Sequence, residues 1–482
     1  MKRFKRYKDY GFFDQDIRLS KLSQLGDPLE KLNAGVDFEM YRSLLDIHDS
    51  RTVWLFQDQG ILRKAEKPVD TSNLTCDVWI DSLHYYNITL DGADGVVYPD
   101  RTPQADYWQL RKVYSPVQII ETEIPVNSGQ QNLTFTMCNQ YDFTNLNTLN
   151  GTWKLYKNHQ IVQRGKIATY CAPHDTVSFS LPVEIPENPD KTIWFIQFEY
   201  KDKNGISVYD HSVELISPSG YDAFKSLICN NSNGKIRNVK NDENTIVIDA
   251  SDFKYHIEKN KFQIKLMASG NKNPLLNSEV YARTGRCPKI ADVTVRDKFT
   301  PETGDYFWDP WLLNPRMITS FSRDNEKDGY QINAKETFLR GENFPGQNLN
   351  GEFQYSIKNT GALNIAYNLV PDNASGASLE AGISLILPAE ICNFYWVGNG
   401  PYASYPDKKH LNDFGIHQIH KNDINFNGNR TNVKIAVLTD KTGNGIAILG
   451  NTGNTSVELK NNQIVVSHEC SFIGCRKQKE YA

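Results

Sequence analysis

The sequence lacks the features that mark membrane proteins and secreted proteins. No stretch reaches the roughly 18 consecutive apolar residues that a membrane-spanning helix needs. The N-terminus, MKRFKRYKDYGFF, begins with basic residues, but no apolar core follows them, so it does not resemble a secretory signal peptide. We therefore expect a cytoplasmic protein with no membrane partner.

Cysteine spacing argues against a zinc-binding protein, and net charge argues against a protein that binds nucleic acid or membranes through its overall charge. The 8 cysteines are scattered, and none of them forms a Cys-x-x-Cys pair or a zinc-site spacing. In a cytoplasmic protein we expect these thiols to be reduced. The formal net charge is −4, which gives no global attraction to nucleic acid or to an anionic membrane surface.

Helical periodicity is confined to residues 14–47. In DQDIRLSKLSQL the apolar residues recur near a period of 3.6, and Gly26 ends the pattern. Asp27 then suits a helix N-cap, Pro28 suits the first helical position, and Glu30 suits a capping box. This region predicts three short helices.

After residue 51 the apolar residues alternate with a period of two, which predicts β-strands. The stretches with this pattern are 134–146, 192–201, 253–267, 351–370, 432–450 and 455–467. Several are hairpins, because Asn359–Gly361, Thr442–Gly445 and Asn461–Asn462 supply residues that tolerate positive φ. No strand–helix alternation is present, so we expect a mostly β fold without a parallel sheet.

The stretch TIWFIQFEYK (192–201) predicts a strand that covers the core of a sandwich. One of its faces is apolar throughout, with Trp194, Ile196, Phe198 and Tyr200. The opposite face is apolar only at its start, at Ile193 and Phe195. The surrounding residues 118–217 have the length of one immunoglobulin-like sandwich.

Three motifs resemble glycoside hydrolase family 2 enzymes of the β-galactosidase type. DGADGVVYPDRTPQADYWQLRKVYSPVQI (91–119) resembles the segment that leaves the catalytic barrel and enters the next sandwich. NQYDFTNLN (139–147) resembles a strand of that sandwich. WVGNGPYASYPDKK (396–409) resembles the signature of the large C-terminal domain, which is the small-chain domain of two-subunit relatives. The motifs also follow the order of the family.

The N-terminal residues resemble a different family. The run LSQLGDPLEKLN, within the helical region, is similar to the N-terminal segment of a DDE-type insertion-sequence transposase. The stretch RTVWLFQDQGILR (51–63) is similar to both families at its start. From Phe56 onward it resembles only the last barrel strand of the hydrolase.

These resemblances give an expected organisation of five segments. They are a helical transposase-like segment (1–50), the remnant of the last barrel strand with its connector (51–117), an immunoglobulin-like β-sandwich (118–217), a linker (218–244) and a large small-chain-like β-sandwich (245–482).

The family resemblance also implies a catalytic glutamate pair, and the sequence offers no convincing candidates for it. Retaining glycosidases use an acid/base and a nucleophile whose carboxyls lie about 5 to 5.5 Å apart. Both would come from a barrel of about 250 residues, and only 90 residues precede the barrel-exit motif at 91–119. Asn325–Glu326 and Glu243 stand in charged, turn-like sequence, which indicates solvated surface. We therefore expect no catalytic residue in this chain.

Three residues are implied as site residues by the resemblance alone. Trp54 corresponds to an aromatic platform that stacks on the sugar in the barrel site, and packing on a sandwich is the alternative role. Asp94 and the carbonyl of Asp91 correspond to positions that help to hold a sodium ion. His417 and His420 have the spacing of one helical face; two histidines alone are weak support for a metal, and a surface or packing role is favoured.

The sequence leaves three functions open. The chain is a truncated β-galactosidase part that is inactive alone and binds carbohydrate or complements a separate chain with the barrel. Alternatively, the basic residues of the N-terminus make it a DNA-binding, transposase-derived fusion. The third alternative is a non-functional chimeric reading frame.

Overall fold

The computed structural model describes most residues from 105 to 472. The described residues are 54–57, 61–64, 103, 105–168, 170–186, 189–222, 226, 235–283, 312–313, 316–326, 329–339, 348–371, 380–405, 409–424, 428–450 and 453–472. The chain divides into two compact units, Met1–Thr71 and Ser72–Ala482. The predicted helices of residues 14–47 lie outside the described residues.

The described elements up to residue 216 are one hairpin, one α-helix and eight further strands. They are β1 Trp54–Gln57, β2 Ile61–Lys64, α1 Ala105–Val113, β3 Val117–Ile119, β4 Glu123–Pro125, β5 Gly129–Asn139, β6 Asn150–Lys157, β7 Gln160–Ile167, β8 Thr176–Ile185, β9 Trp194–Lys201 and β10 Ser207–Ile216. In the first unit β1 and β2 pair in antiparallel register, with Trp54 opposite Lys64.

The described elements after residue 216 are nearly all strands. They are β11 Ile236–Asn241, β12 Thr245–Ala250, β13 Phe253–Glu258, β14 Gln263–Ala268, β15 Leu276–Glu279, β16 Tyr281–Arg283, β17 Leu312–Leu313, β18 Arg316–Glu326, β19 Gly329–Phe338, β20 Leu349–Lys358, β21 Leu363–Pro371, β22 Glu380–Ile386, β23 Asn393–Gly400, β24 Asp413–His420, β25 Gly428–Arg430, β26 Ile435–Thr439, β27 Gly445–Ile448, β28 Thr455–Lys460 and β29 Gln463–Phe472. Short 3-10 helices lie at 146–148, 189–191 and 421–423.

The first sandwich consists of a five-stranded sheet, β4-β10-β9-β6-β7, packed on a three-stranded sheet, β3-β5-β8. The apolar face predicted for β9 lies in its core, where Phe198 is fully buried. Its ring lies 4.9 Å from the ring of Phe135 on the facing sheet, in an edge-to-face arrangement. Apolar side chains alternate along β9 because the face that carries them packs against the other sheet of the sandwich.

The strands after residue 216 form four sheets, which together we call the second body. The first sandwich is the first body, and both bodies lie in the second compact unit. The orders of the four sheets are β11-β12-β13-β14-β15, β17-β16-β22-β29-β28-β25, β18-β19-β20-β21 and β24-β23-β26-β27. A single cluster of buried apolar side chains draws on all four of them. Within it, the rings of Phe262 and Tyr355 stack at 4.1 Å and connect the first of these sheets to the third. The mostly β fold predicted from the sequence is confirmed.

The hairpin turns predicted from sequence are present. Gly361, between β20 and β21, has a φ of 87°, and Gly443, between β26 and β27, has a φ of 88°. Asn461 and Asn462, between β28 and β29, have φ values of 51° and 59°. These turns need residues for which the left-handed region costs little, and the sequence supplies glycine or asparagine at each.

Three parts of the chain differ from the sequence predictions. The connector 51–117 contains α1, whose Ala, Gln, Leu, Arg and Lys residues favour helix. The linker 218–244 contains β11, which pairs with β12 and so belongs to the second body. Asn325–Glu326 ends the strand β18 beside the turn to β19, although the charged sequence indicated a loop.

The apolar start of the outer face of β9 is buried against the second body. Ile193 is 1% exposed and Phe195 is 9% exposed. They pack in one cluster with Val397, Phe414 and Ile435 from β23, β24 and β26. This contact explains why the outer face is apolar at its start and polar further along the strand.

Truncation of Phe198 tests the core of the first sandwich. We expect Phe198→Ala to lower the free energy of unfolding by about 3 to 5 kcal/mol, because it leaves a cavity between the two sheets. Phe143→Ala is the matched control, since the side chain of Phe143 is 86% exposed and its loss should cost no more than about 0.5 kcal/mol. Urea unfolding measures both, and equal losses would contradict the core assignment.

Candidate functional site

The residues implied as site residues fall at or beyond the edge of the described structure. Trp54 is the first residue of β1, and its side chain lies outside the described part of the chain. Asp91 and Asp94 also lie outside the described residues. Their assigned roles, sugar stacking and sodium binding, remain predictions.

Two of the three motifs singled out from the sequence meet in the structure. Helix α1 comes from the motif at 91–119 and contacts residues at and just after the motif at 396–409. The side chain of Trp108 hydrogen-bonds the hydroxyl of Tyr402. The Oε1 atom of Gln109 accepts a hydrogen bond of 2.8 Å from the backbone N–H of Leu411. The helix therefore joins the first sandwich to the second.

Asp413, the first residue of β24, forms the polar centre of this junction. Its carboxylate accepts a hydrogen bond from the ammonium group of Lys112 on α1 and lies 3.2 Å from Nδ1 of His211 on β10. Burial by itself raises the pKa of Asp413, but the hydrogen bond from His211 and the charge of Lys112 outweigh it, so the pKa is lowered. The carboxylate is thus ionised and bound by one group of α1 and one group of the first sandwich.

A second carboxylate at the junction comes from the first sandwich and is bound by residues of the second body. Glu214 of β10 is 1% exposed. It accepts hydrogen bonds from Nδ2 of Asn432 at 2.8 Å and from the hydroxyl of Tyr221 at 2.7 Å, and it pairs with Nζ of Lys434 at 3.0 Å. Each of the two bodies therefore places one carboxylate among donors of the other.

The third motif, at 139–147, acts inside the first sandwich. Asn139 is 2% exposed, and its Nδ2 donates to the carbonyl oxygens of Thr144 at 2.8 Å and Cys171 at 2.9 Å. Its Oδ1 accepts from the backbone N–H of Tyr141 at 2.9 Å. The asparagine satisfies backbone groups of the loop after β5, so its role is structural.

The motif at 396–409 also supplies packing rather than an open sugar platform. Trp396 is 1% exposed, stacks on Phe394 at 4.8 Å and lies 5.0 Å from the guanidinium of Arg430. A Cβ atom on Gly400 would lie 2.7 Å from the Trp396 ring and equally close to His417, so the ring needs glycine there. An indole that is enclosed in this way has no free face for a ligand.

His417 and His420 do not share a face. They lie on the strand β24, whose side chains alternate with a period of two, so the helical spacing was a wrong prediction. The ring of His417 packs 5.1 Å from that of Trp396, and burial lowers its pKa. No group of three or more metal-ligating side chains is present among the described residues.

Two glutamates on the six-stranded sheet share one arginine. Arg283 on β16 donates through Nε to Glu380 on β22 at 2.7 Å, and through Nη1 to Glu458 on β28. Burial, opposed by the charge of Arg283, raises the pKa of Glu458 to about 7. However, the three side chains are at most 3% exposed, so no sugar can reach them. Their role is structural, and sequence reasoning missed them because 175 residues separate Arg283 from Glu458.

Two family models match the chain. Residues 249–472 match the beta galactosidase small chain, and residues 135–214 match domain 4 of beta-galactosidase. Two stretches of the chain are therefore similar to domains of β-galactosidases. Neither match includes residues 1–50, so the transposase resemblance remains a prediction. No described helix is long and apolar enough to span a membrane.

The curated relatives are β-galactosidases of distant sequence. That of Pseudoalteromonas haloplanktis is 20% identical, over 77% of this chain and 36% of the relative. That of Actinobacillus pleuropneumoniae is 21% identical, over 67% and 30%. That of Staphylococcus xylosus is 20% identical, over 83% and 39%. The chain therefore spans about a third of the length of the relatives that it matches.

The buried carboxyl of Glu458 gives a pH-dependent contribution to stability. A carboxyl whose pKa is raised in the folded state stabilises the fold fully below its unfolded pKa, near 4.5, and loses that contribution as the pH rises towards about 7. Glu458→Gln keeps the shape and removes the titration. Between pH 5 and pH 8, we expect the unfolding free energy of the parent to fall by roughly 3 kcal/mol relative to that of the variant.

Urea unfolding at the two pH values measures this change. Glu352→Gln is the control, because Glu352 is exposed and paired with Lys335 on the surface. A pH dependence that is the same in the Glu458→Gln variant and the parent would contradict the assignment.

Proposed function

We propose that this chain supplies the C-terminal sandwich domains of a β-galactosidase-type glycoside hydrolase and completes a catalytic barrel carried by a separate chain. The assembled enzyme hydrolyses terminal β-galactosides. The two family matches and the relatives' names support the substrate class. This chain alone has no galactosidase activity under the proposal.

The junction between the two bodies is the observation that carries the proposal. The barrel-exit motif contributes α1, and α1 is fixed to the second body through Gln109 and Lys112. The two domains are thereby held in one arrangement before any partner binds. A preorganised pair of domains loses less conformational freedom on association, which favours assembly with a barrel in trans.

Complementation tests the proposal directly. Sequencing the DNA that flanks the coding region identifies the neighbouring barrel gene, and its product is purified with and without this chain. We expect hydrolysis of a fluorogenic β-galactoside by the mixture at a rate at least 100-fold above that of either chain alone. The two proteins should also elute together in size-exclusion chromatography.

Two results would contradict the proposal. One is turnover by this chain alone that survives removal of contaminating host enzyme. The other is flanking DNA that holds an insertion-element end and no barrel gene, which would favour the chimeric reading frame instead.

A further inference from the structure

A polar groove of about 530 Å³ lies on the second body, formed by residues near the ends of β23, β24, β26 and β28. The residues that matter for its chemistry are Glu390, His420, Lys421, Asn422, Asp440 and Lys441. It belongs to neither the junction nor the buried arginine cluster. Its volume is within the range of small-ligand pockets.

The walls of the groove are held by hydrogen bonds. The ammonium group of Lys421 donates to the carbonyl oxygens of Ala389 at 3.0 Å and Asn462 at 3.2 Å, so it connects two loops. Oδ1 of Asp440 accepts from the N–H and hydroxyl of Thr442, at 2.8 and 2.7 Å. These bonds fix both side chains before a ligand arrives.

Other polar groups of the groove are unused. Within the described structure, no hydrogen bond is made by the side chains of Glu390, Asn422 and Lys441. The Asp440 carboxylate also accepts from Asn444, through its backbone N–H at 3.0 Å and through its side chain. Nδ1 of His420 accepts from the backbone N–H of Asn422 at 3.2 Å, so its proton is on Nε2, which is left to donate. The groove thus offers acceptors and donors side by side.

Charge and composition decide the class of ligand. Lys421 and Lys441 balance Glu390 and Asp440, which disfavours a strongly anionic or cationic ligand. Among the described lining residues, only Ala389 and Cys392 are apolar, and Phe, Tyr and Trp are missing, which disfavours a lipid or an aromatic ligand. A neutral molecule dense in hydroxyl groups, each of which both donates and accepts, matches these walls.

We propose that this groove is a saccharide-binding site on the small-chain-type domain, distinct from any barrel site, with the Asp440 carboxylate and the Lys441 ammonium as its principal hydrogen-bonding groups. The described lining residues provide no aromatic platform, so binding is weak, with a dissociation constant on the order of 1 mM. The site takes one or two sugar rings.

Saturation-transfer NMR on the purified full chain tests the proposal, with D-galactose, D-glucose and lactose as probes. Asp440→Asn keeps an acceptor for Thr442 and removes the negative charge, and Lys441→Ala removes an ammonium group that makes no hydrogen bond within the described part of the chain. We expect each variant to weaken the affinity for the bound sugar at least tenfold. Lys335→Ala is the control, because Lys335 is an exposed lysine on β19, which belongs to another sheet.

Two outcomes would overturn the proposal. One is the lack of saturation transfer to all three sugars. The other is transfer that is equal in the parent and in both groove variants, which would place the bound sugar elsewhere. The experiment needs no barrel-bearing partner, so its result is independent of the complementation test.

Discussion

The carboxylate of Asp413 is the contact on which the arrangement of the two bodies depends. It belongs to the second body, whereas its partners Lys112 and His211 belong to α1 and to the first sandwich. Nε2 of His211 in turn lies 2.8 Å from the carbonyl oxygen of Glu121. His211 therefore connects the Asp413 carboxylate to the backbone of the first sandwich.

Glu214 is the corresponding carboxylate of the first body. It is bound by Asn432 and Lys434 of the second body, whereas Asp413 is a carboxylate of the second body. The apolar contacts of Phe195 with Phe414 lie in the same interface, with ring centroids 6.2 Å apart. Apolar burial supplies affinity between the bodies, and the charged pairs fix their register because a shifted register would leave buried charges without partners.

The family motifs therefore contribute to architecture in the described structure. Asn139 closes a loop, Gly400 makes room for Trp396, and α1 connects the bodies. A motif that marks a glycosidase family is not by itself a catalytic site, and here each motif can be explained by packing or backbone hydrogen bonding. The groove beside Asp440, by contrast, was invisible in sequence because loops from four distant stretches form it.

Local features of the fold could be predicted, and long-range ones could not. The hairpins at Gly361 and Gly443 could be predicted, because the requirement for a positive φ concerns a single residue. The buried face of β9 followed from alternation. Helix α1 was missed because it has only 9 residues and lies between Pro103 and Pro116, which indicated irregular structure. The partners of Asp413 were missed because Lys112 lies 301 residues away in sequence, and no local pattern encodes such a pair.

The most direct test of this account is a double-mutant cycle on Lys112 and Asp413. Unfolding free energies are measured in urea for Lys112→Met, Asp413→Asn and the double variant. The account predicts that the double variant loses less stability than the sum of the single variants, with a coupling of roughly 1 to 3 kcal/mol. Losses that add to within about 0.5 kcal/mol would show that this contact does not hold the two bodies together.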